Sequence, residues 1–77
     1  MATITYTKKD LAPSYKQREK YMQIYANLPE DVVVIVKTVN ADKYDVYTNH
    51  FNPAFLNYLL EGFLLINRKK CAFHVLG

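Results

Sequence analysis

A chain of 77 residues with 51% hydrophobic side chains and a net charge of +3 carries enough apolar surface for one core and not for two. Its single cysteine, Cys71, excludes an intramolecular disulfide and points to a reducing, cytoplasmic setting. No window approaches the roughly 18 apolar residues of a membrane span, so a membrane is not expected among its partners.

Charge is laid out unevenly. Residues 1–20 carry five basic and two acidic side chains, residues 21–62 carry two and five, and residues 63–77 carry three and none. Basic ends around an acidic middle suit a partly acidic partner, but the net charge falls short of the dense basic character of many nucleic-acid binders.

In chain order, residues 1–9 read as a short strand or a loose tail, because Thr3–Thr7 alternates residues that favour extended backbone. A helix is expected from Asp10 or Ser14, with Pro13 in its first turn, to a point before Pro29. Lys16, Glu19, Lys20, Gln23 and Asn27 share one face of it, while Tyr21, Ile24, Tyr25 and Leu28 have the spacing of a buried stripe.

Residues 32–39 are β-branched almost throughout and predict a central strand covered on both faces. A turn at 40–43 and the alternating Tyr44–Thr48 complete a hairpin. The second helix has clear punctuation: Asn52 as N-cap, Pro53 at the first helical position and Gly62 as the stop. Phe63–Ile66 and Cys71–Leu76, joined by the polar Asn67-Arg68-Lys69-Lys70, predict a second hairpin. A competing reading carries the second helix through Gly62 to Ile66. It is disfavoured because Leu65 would fall on the polar stripe of Asn57 and Glu61, and interior Gly costs about 1 kcal/mol.

The expectation is a single small α+β domain spanning 1–77. Its sheet would be antiparallel, with four or five strands from two hairpins plus the N-terminal segment, and two helices on one face in the order (β)αββαββ.

Chemistry-bearing constellations are sparse. Three Cys and His residues are too few for a structural zinc site, and the odd separation of Cys71 and His74 puts them on opposite faces of a strand. Cys71 could meet only His50 as a catalytic partner, and it reads better as a small buried hydrophobe. Glu30 with Asp31, and Asp42 with Asp45, fall at loops and turns, and two glycines cannot build a phosphate loop. No enzyme activity, cofactor or metal is expected.

What remains is a surface. Seven tyrosines and no tryptophan supply contact area with polar tips, the composition of interfaces. The predicted partner-binding residues are Tyr15, Arg18, Tyr44, Tyr47, Arg68, Lys69 and Lys70. Tyr15 and Arg18 border the first helix's apolar face, Tyr44 and Tyr47 lie on opposite faces of their strand, and the three cations share a turn.

The leading expectation is a non-catalytic protein-binding module. It would be a stand-alone inhibitor or regulator of the phage or mobile-element kind, docking on a larger host protein such as nucleic-acid-processing machinery. The alternatives are a nucleic-acid binder using the basic stretches Lys8–Lys20 and Arg68–Lys70, and a small subunit of a larger assembly. Homo-oligomerisation through a sheet edge is a further expectation.

Overall fold

A computed structural model describes residues 2–77; the part of the N-terminal expectation that falls on Met1 lies outside the described residues. The elements are β1 (Thr3–Thr7), α1 (Arg18–Ala26), β2 (Val33–Asn40), β3 (Lys43–Thr48), α2 (Pro53–Asn57) and β4 (Cys71–Val75). The class is α+β, with four strands and two helices, and no helix among the described residues is long and apolar enough to cross a membrane.

The β-branched run forms β2 as expected, since Val and Ile pack well on a pleated surface and lose rotamer freedom in a helix. It returns through Ala41 and Asp42 into β3, where Asn40 pairs with Lys43 and the Asn40 carboxamide oxygen accepts from the Asp42 N–H at 2.8 Å. Val39 falls in a register break between Thr38 and Asn40. β1 lies antiparallel on the other side of β2, from Thr3 opposite Lys37 to Thr7 opposite Val33.

The first helical region is broken where one helix was expected. Short 3-10 turns at Lys8–Leu11 and Tyr15–Gln17 precede α1, which starts at Arg18. Pro13 is therefore not in the first turn of α1 and lies buried between the two turns. The predicted stripe holds: Tyr21 and Leu28 are buried, Ile24 and Tyr25 half-buried, and the polar residues face out.

α2 begins as read. The Asn52 side chain accepts from the Ala54 and Phe55 N–H groups at 2.9 and 3.3 Å, with Pro53 at the first position.

Its end corrects two expectations. Gly62 does not stop the helix, and Phe63–Ile66 is not a strand. The helix continues as a π-helical segment, Tyr58–Phe63, closed by the Leu64 N–H donating to the Leu59 carbonyl at 2.7 Å. Gly62 is there for space: a Cβ at this position would sit 2.5 Å from Tyr58 Cδ1 and 3.0 Å from Tyr21 Cε2. The left-handed residue that ends the helix is Leu65, at φ 55°. The Ile66 N–H then bonds back to the Leu60 carbonyl at 2.9 Å.

Because the helical segment from Pro53 to Phe63 carries the chain back along β3, β4 runs parallel to β3 rather than forming a hairpin. Tyr44 is opposite Cys71, and Thr48 is opposite Val75. The sheet is thus mixed, in the spatial order β1-β2-β3-β4, and among the described residues the element order is βαββαβ with no fifth strand and no second hairpin.

Alternation divides the sheet into two faces. Val34, Val36, Val46 and Thr48 are buried on one face beneath Phe55, Leu56, Tyr58 and Leu59 of the second helix and Tyr21 and Leu28 of the first helical arm. Tyr6, Tyr44, Cys71 and Phe73 extend this core to the sheet's borders. Tyr58, fully buried, donates its hydroxyl to the Leu11 carbonyl at 2.7 Å, which ties the helical turn after β1 to the second helix. β2 is accordingly covered on one face only, which corrects the expectation of a strand covered on both.

Candidate functional site

Among the described residues no helix packs on the other face of the sheet. Its residues follow from register: Thr5, Ile35, Tyr47 and His74 form one row across the four strands, and Thr3, Lys37, Asp45 and Ala72 form the next. Val33 extends the first row's apolar character along β2, and Lys43 opens β3 on the same face.

Four of these side chains hold one another in place. The Tyr47 and His74 rings stack with centroids 4.6 Å apart and planes inclined by 22°. His74 Nε2 lies 3.3 Å from Asp45 Oδ1, a contact that becomes an ion pair when the ring is protonated. Lys37 Nζ sits 5.1 Å from the Tyr47 ring centroid on the cation-favouring face of the ring. At such exposed sites each contact contributes about 0.5–1 kcal/mol. Their larger effect is to fix rotamers, which lowers the ordering cost when a partner arrives.

The seven sequence-predicted residues do not form one surface. Tyr47 lies in this network. Tyr44, on the opposite face of β3, is half-buried against the core. Tyr15, 89% exposed, and Arg18 line an open hollow of about 520 Å³ with Lys16 and Glu19, just before and at the start of α1. Arg68, Lys69 and Lys70 form an exposed 3-10 turn leading into β4, where the Asn67 side chain accepts from the Lys69 N–H at 2.9 Å and Lys70 approaches Asp42 at 3.6 Å.

The basic stretch Lys8–Lys20 is partly engaged. Lys8 Nζ donates to the Leu28 carbonyl at 2.9 Å and pairs with Glu30 at 3.0 Å, and Lys20 lies over the Tyr21 ring.

Sequence reasoning missed Lys37, Asp45, His74 and Ile35 as members of a surface. Asp45 and Tyr47 share a face by alternation, so that half was readable. Bringing His74 beside them required knowing that β4 pairs with β3 in parallel.

Cys71 and His74 lie on opposite faces of β4. Burial pushes the Cys71 thiol up, Asp45 adds to the shift and Arg68 opposes it, so the group stays a neutral thiol at neutral pH. A second hollow of about 220 Å³ lies between the C-terminal end of α1 and the start of α2. Ile24, Asn27, Leu28, His50, Asn52, Ala54 and Phe55 line it, and the His50 ring rests on Phe55 with centroids 5.4 Å apart. The Asn52 oxygen in that hollow is already committed to capping α2.

No family model matches the chain, nor does any curated protein or solved structure.

Proposed function

We propose that this chain is a non-catalytic protein-binding module, a stand-alone inhibitor or regulator of the phage or mobile-element kind that docks on a larger host protein in the cytoplasm. It docks through the open face of its sheet. The observation that carries this reading is the Lys37–Tyr47–His74–Asp45 network, an aromatic pair with its cation and carboxylate held in fixed positions beside the apolar Val33 and Ile35. Fixed aromatic groups ringed by polar ones are the composition of interface hot spots.

The charge on this face supports a protein rather than a nucleic acid as the partner. Lys37 and Lys43 are the cations of the face, Asp45 offsets one of them, and nothing on it forms the continuous basic track that a phosphate backbone rewards. A protein surface that presents a carboxylate to Lys37 and an apolar side chain to Ile35 and Tyr47 complements it. Nucleic-acid binding through Lys8–Lys20 and Arg68–Lys70 is the second reading, favoured by the exposed Arg68–Lys70 turn and by the exposure of Lys9, Lys16 and Arg18. A place as a small subunit of a larger assembly would use the same open face permanently.

The test is affinity capture from the native host's lysate, with and without nuclease, using the wild type and two variant sets. The expected result is a nuclease-resistant partner lost with Tyr47→Ser or Lys37→Glu and retained when Arg68, Lys69 and Lys70 are reversed to Glu. Capture that needs nucleic acid, weakens steeply with salt and fails with the reversed turn would replace this reading with the second.

A further inference from the structure

We propose that β4 is the pairing edge of a homodimer, in which a second copy of this chain adds its own β4 antiparallel to the first, centred on Phe73. The sheet has two outer strands, and their backbones differ. On β4, the Leu76 N–H donates to the Thr48 carbonyl at 2.9 Å. In a parallel ladder with Thr48 opposite Val75, this places the backbone groups of Ala72, His74 and Leu76 toward β3. Those of Cys71, Phe73 and Val75 point away from it. The Cys71 N–H is taken by the Arg68 carbonyl, which leaves the Cys71 carbonyl and both groups of Phe73 and Val75 directed outward.

The side chains along this edge are apolar and incompletely covered. Val75 is 72% exposed and Phe51 49% exposed, and Phe51 meets Phe73 edge-on with centroids 6.4 Å apart. The strand Cys-Ala-Phe-His-Val contains no Lys, Glu or Pro, the residues that keep outer strands single. On β1, by contrast, the Asp10 carboxylate accepts from the Thr7 N–H at 3.0 Å and closes one end of the edge.

A two-fold axis at Phe73 uses every outward donor on β4. The two Phe73 residues exchange a pair of hydrogen bonds, and each Val75 N–H meets the Cys71 carbonyl of the second copy. On the covered face Phe73 packs on its symmetry mate, and Val75 is buried beside Cys71 of the second copy. Charge decides the direction. Antiparallel pairing sends the two Arg68–Lys70 turns to opposite ends of the joint, whereas parallel pairing would set six cations side by side.

The joined molecule is an eight-stranded sheet. Ala72 lies opposite His74 of the second copy, so the row Thr5–Ile35–Tyr47–His74 continues into the second copy's Asp45 and Lys37. Each copy thus adds residues to the other's open face. A five-residue edge lies at the small end of interface sizes, which fits micromolar association.

Sedimentation across a concentration series tests the proposal without any partner protein, so its outcome is separate from that of the open-face reading. Wild type should pass from monomer to dimer in the micromolar range. Val75→Lys should weaken dimerisation by about tenfold or more, and Ile4→Lys on β1 should not change it. Opposite residues of a hydrogen-bonded antiparallel pair sit about 5.5 Å apart at Cα, within disulfide reach. Mild oxidation of Val75→Cys should therefore give a covalent dimer bridged through Cys71, which Cys71→Ser abolishes. A monomer at all concentrations overturns the proposal. So does a dimer indifferent to Val75→Lys, or a monomer whose β4 amides become protected from hydrogen exchange only when a captured protein partner is added.

Discussion

The two faces of the sheet are built from the same strands and do opposite work. On the covered face the central side chains of β2 and β3 are small and buried and are positioned by shape, with Val34, Val46 and Thr48 under the rings of Phe55 and Tyr58. On the open face the neighbours of those residues are Ile35, Lys37, Asp45 and Tyr47, half-buried or exposed, the last three positioned by polar and aromatic contacts among Lys37, Tyr47, His74 and Asp45. The difference teaches that in a chain this small stability and recognition are divided by alternation within single strands. A change on one face should register in unfolding, and a change on the other in binding.

The sharpest way to break that division is at Gly62. A methyl group at this position meets Tyr58 and Tyr21 at 2.5–3.0 Å, both rigid rings in the core. Gly62→Ala, ordinarily a gain inside a helix, should instead cost about 3 kcal/mol, read as a lower denaturant midpoint.

Alkaline titration comes next. Burial raises Tyr58 to about 12, with Tyr25 and Tyr21 adding to the shift. The native state therefore holds the hydroxyl proton more tightly than the unfolded chain. The stability from this group is complete below pH 10 and is lost as pH rises from 10 toward 12, by about 2–3 kcal/mol in all. Tyr58→Phe should remove that component from the profile. At neutral pH it should cost about 2 kcal/mol, because the Leu11 carbonyl loses its buried donor.

A substitution at Leu65 should act in the opposite direction. Leu65 holds φ 55° with a side chain 74% exposed, so Leu65→Gly should relieve backbone strain at little loss of packing and raise stability by about 1 kcal/mol in thermal unfolding. The smallest stability effect is expected on the open face. Tyr47→Ser should change unfolding by about 1 kcal/mol or less, because its contacts are solvent-screened, while abolishing partner capture.

Much of the covered face was legible in the sequence. The β-branched run at 33–36 has no good alternative to a strand, the turn residues at 40–43 close a hairpin, and Asn52-Pro53 marks a helix start by chemistry that reads locally. The end of α2 was not legible, because a glycine that makes room for two tyrosine rings is indistinguishable from a glycine that ends a helix. That ambiguity propagated. With Gly62 read as a stop, Phe63–Ile66 became a strand, the last strand became antiparallel, and His74 lost its place beside Tyr47. The open face was half readable for the same reason: alternation put Asp45 and Tyr47 together, but only the crossover supplies His74. Tyr15 and Arg18 were read at the border of the first helix's apolar face, and they line one hollow just before and at the start of α1. The opposite faces of Tyr44 and Tyr47 were readable from alternation, and which of the two turns to the core came only with the packing of the helices, which puts Tyr44 there.

The parallel placement of β4 has a consequence for how the molecule comes apart. β1, β2 and β3 form an antiparallel meander in which β2 and β3 can zip from a two-residue turn, whereas β4 can add to β3 only after the second helix has crossed the sheet. The last strand is thus a latch on an otherwise self-sufficient ribbon. In the monomer it should be the first part of the sheet to exchange its amide protons and the first to be trimmed by a protease, and its release would uncover the flank of Val46 and Thr48 while the first three strands remain paired.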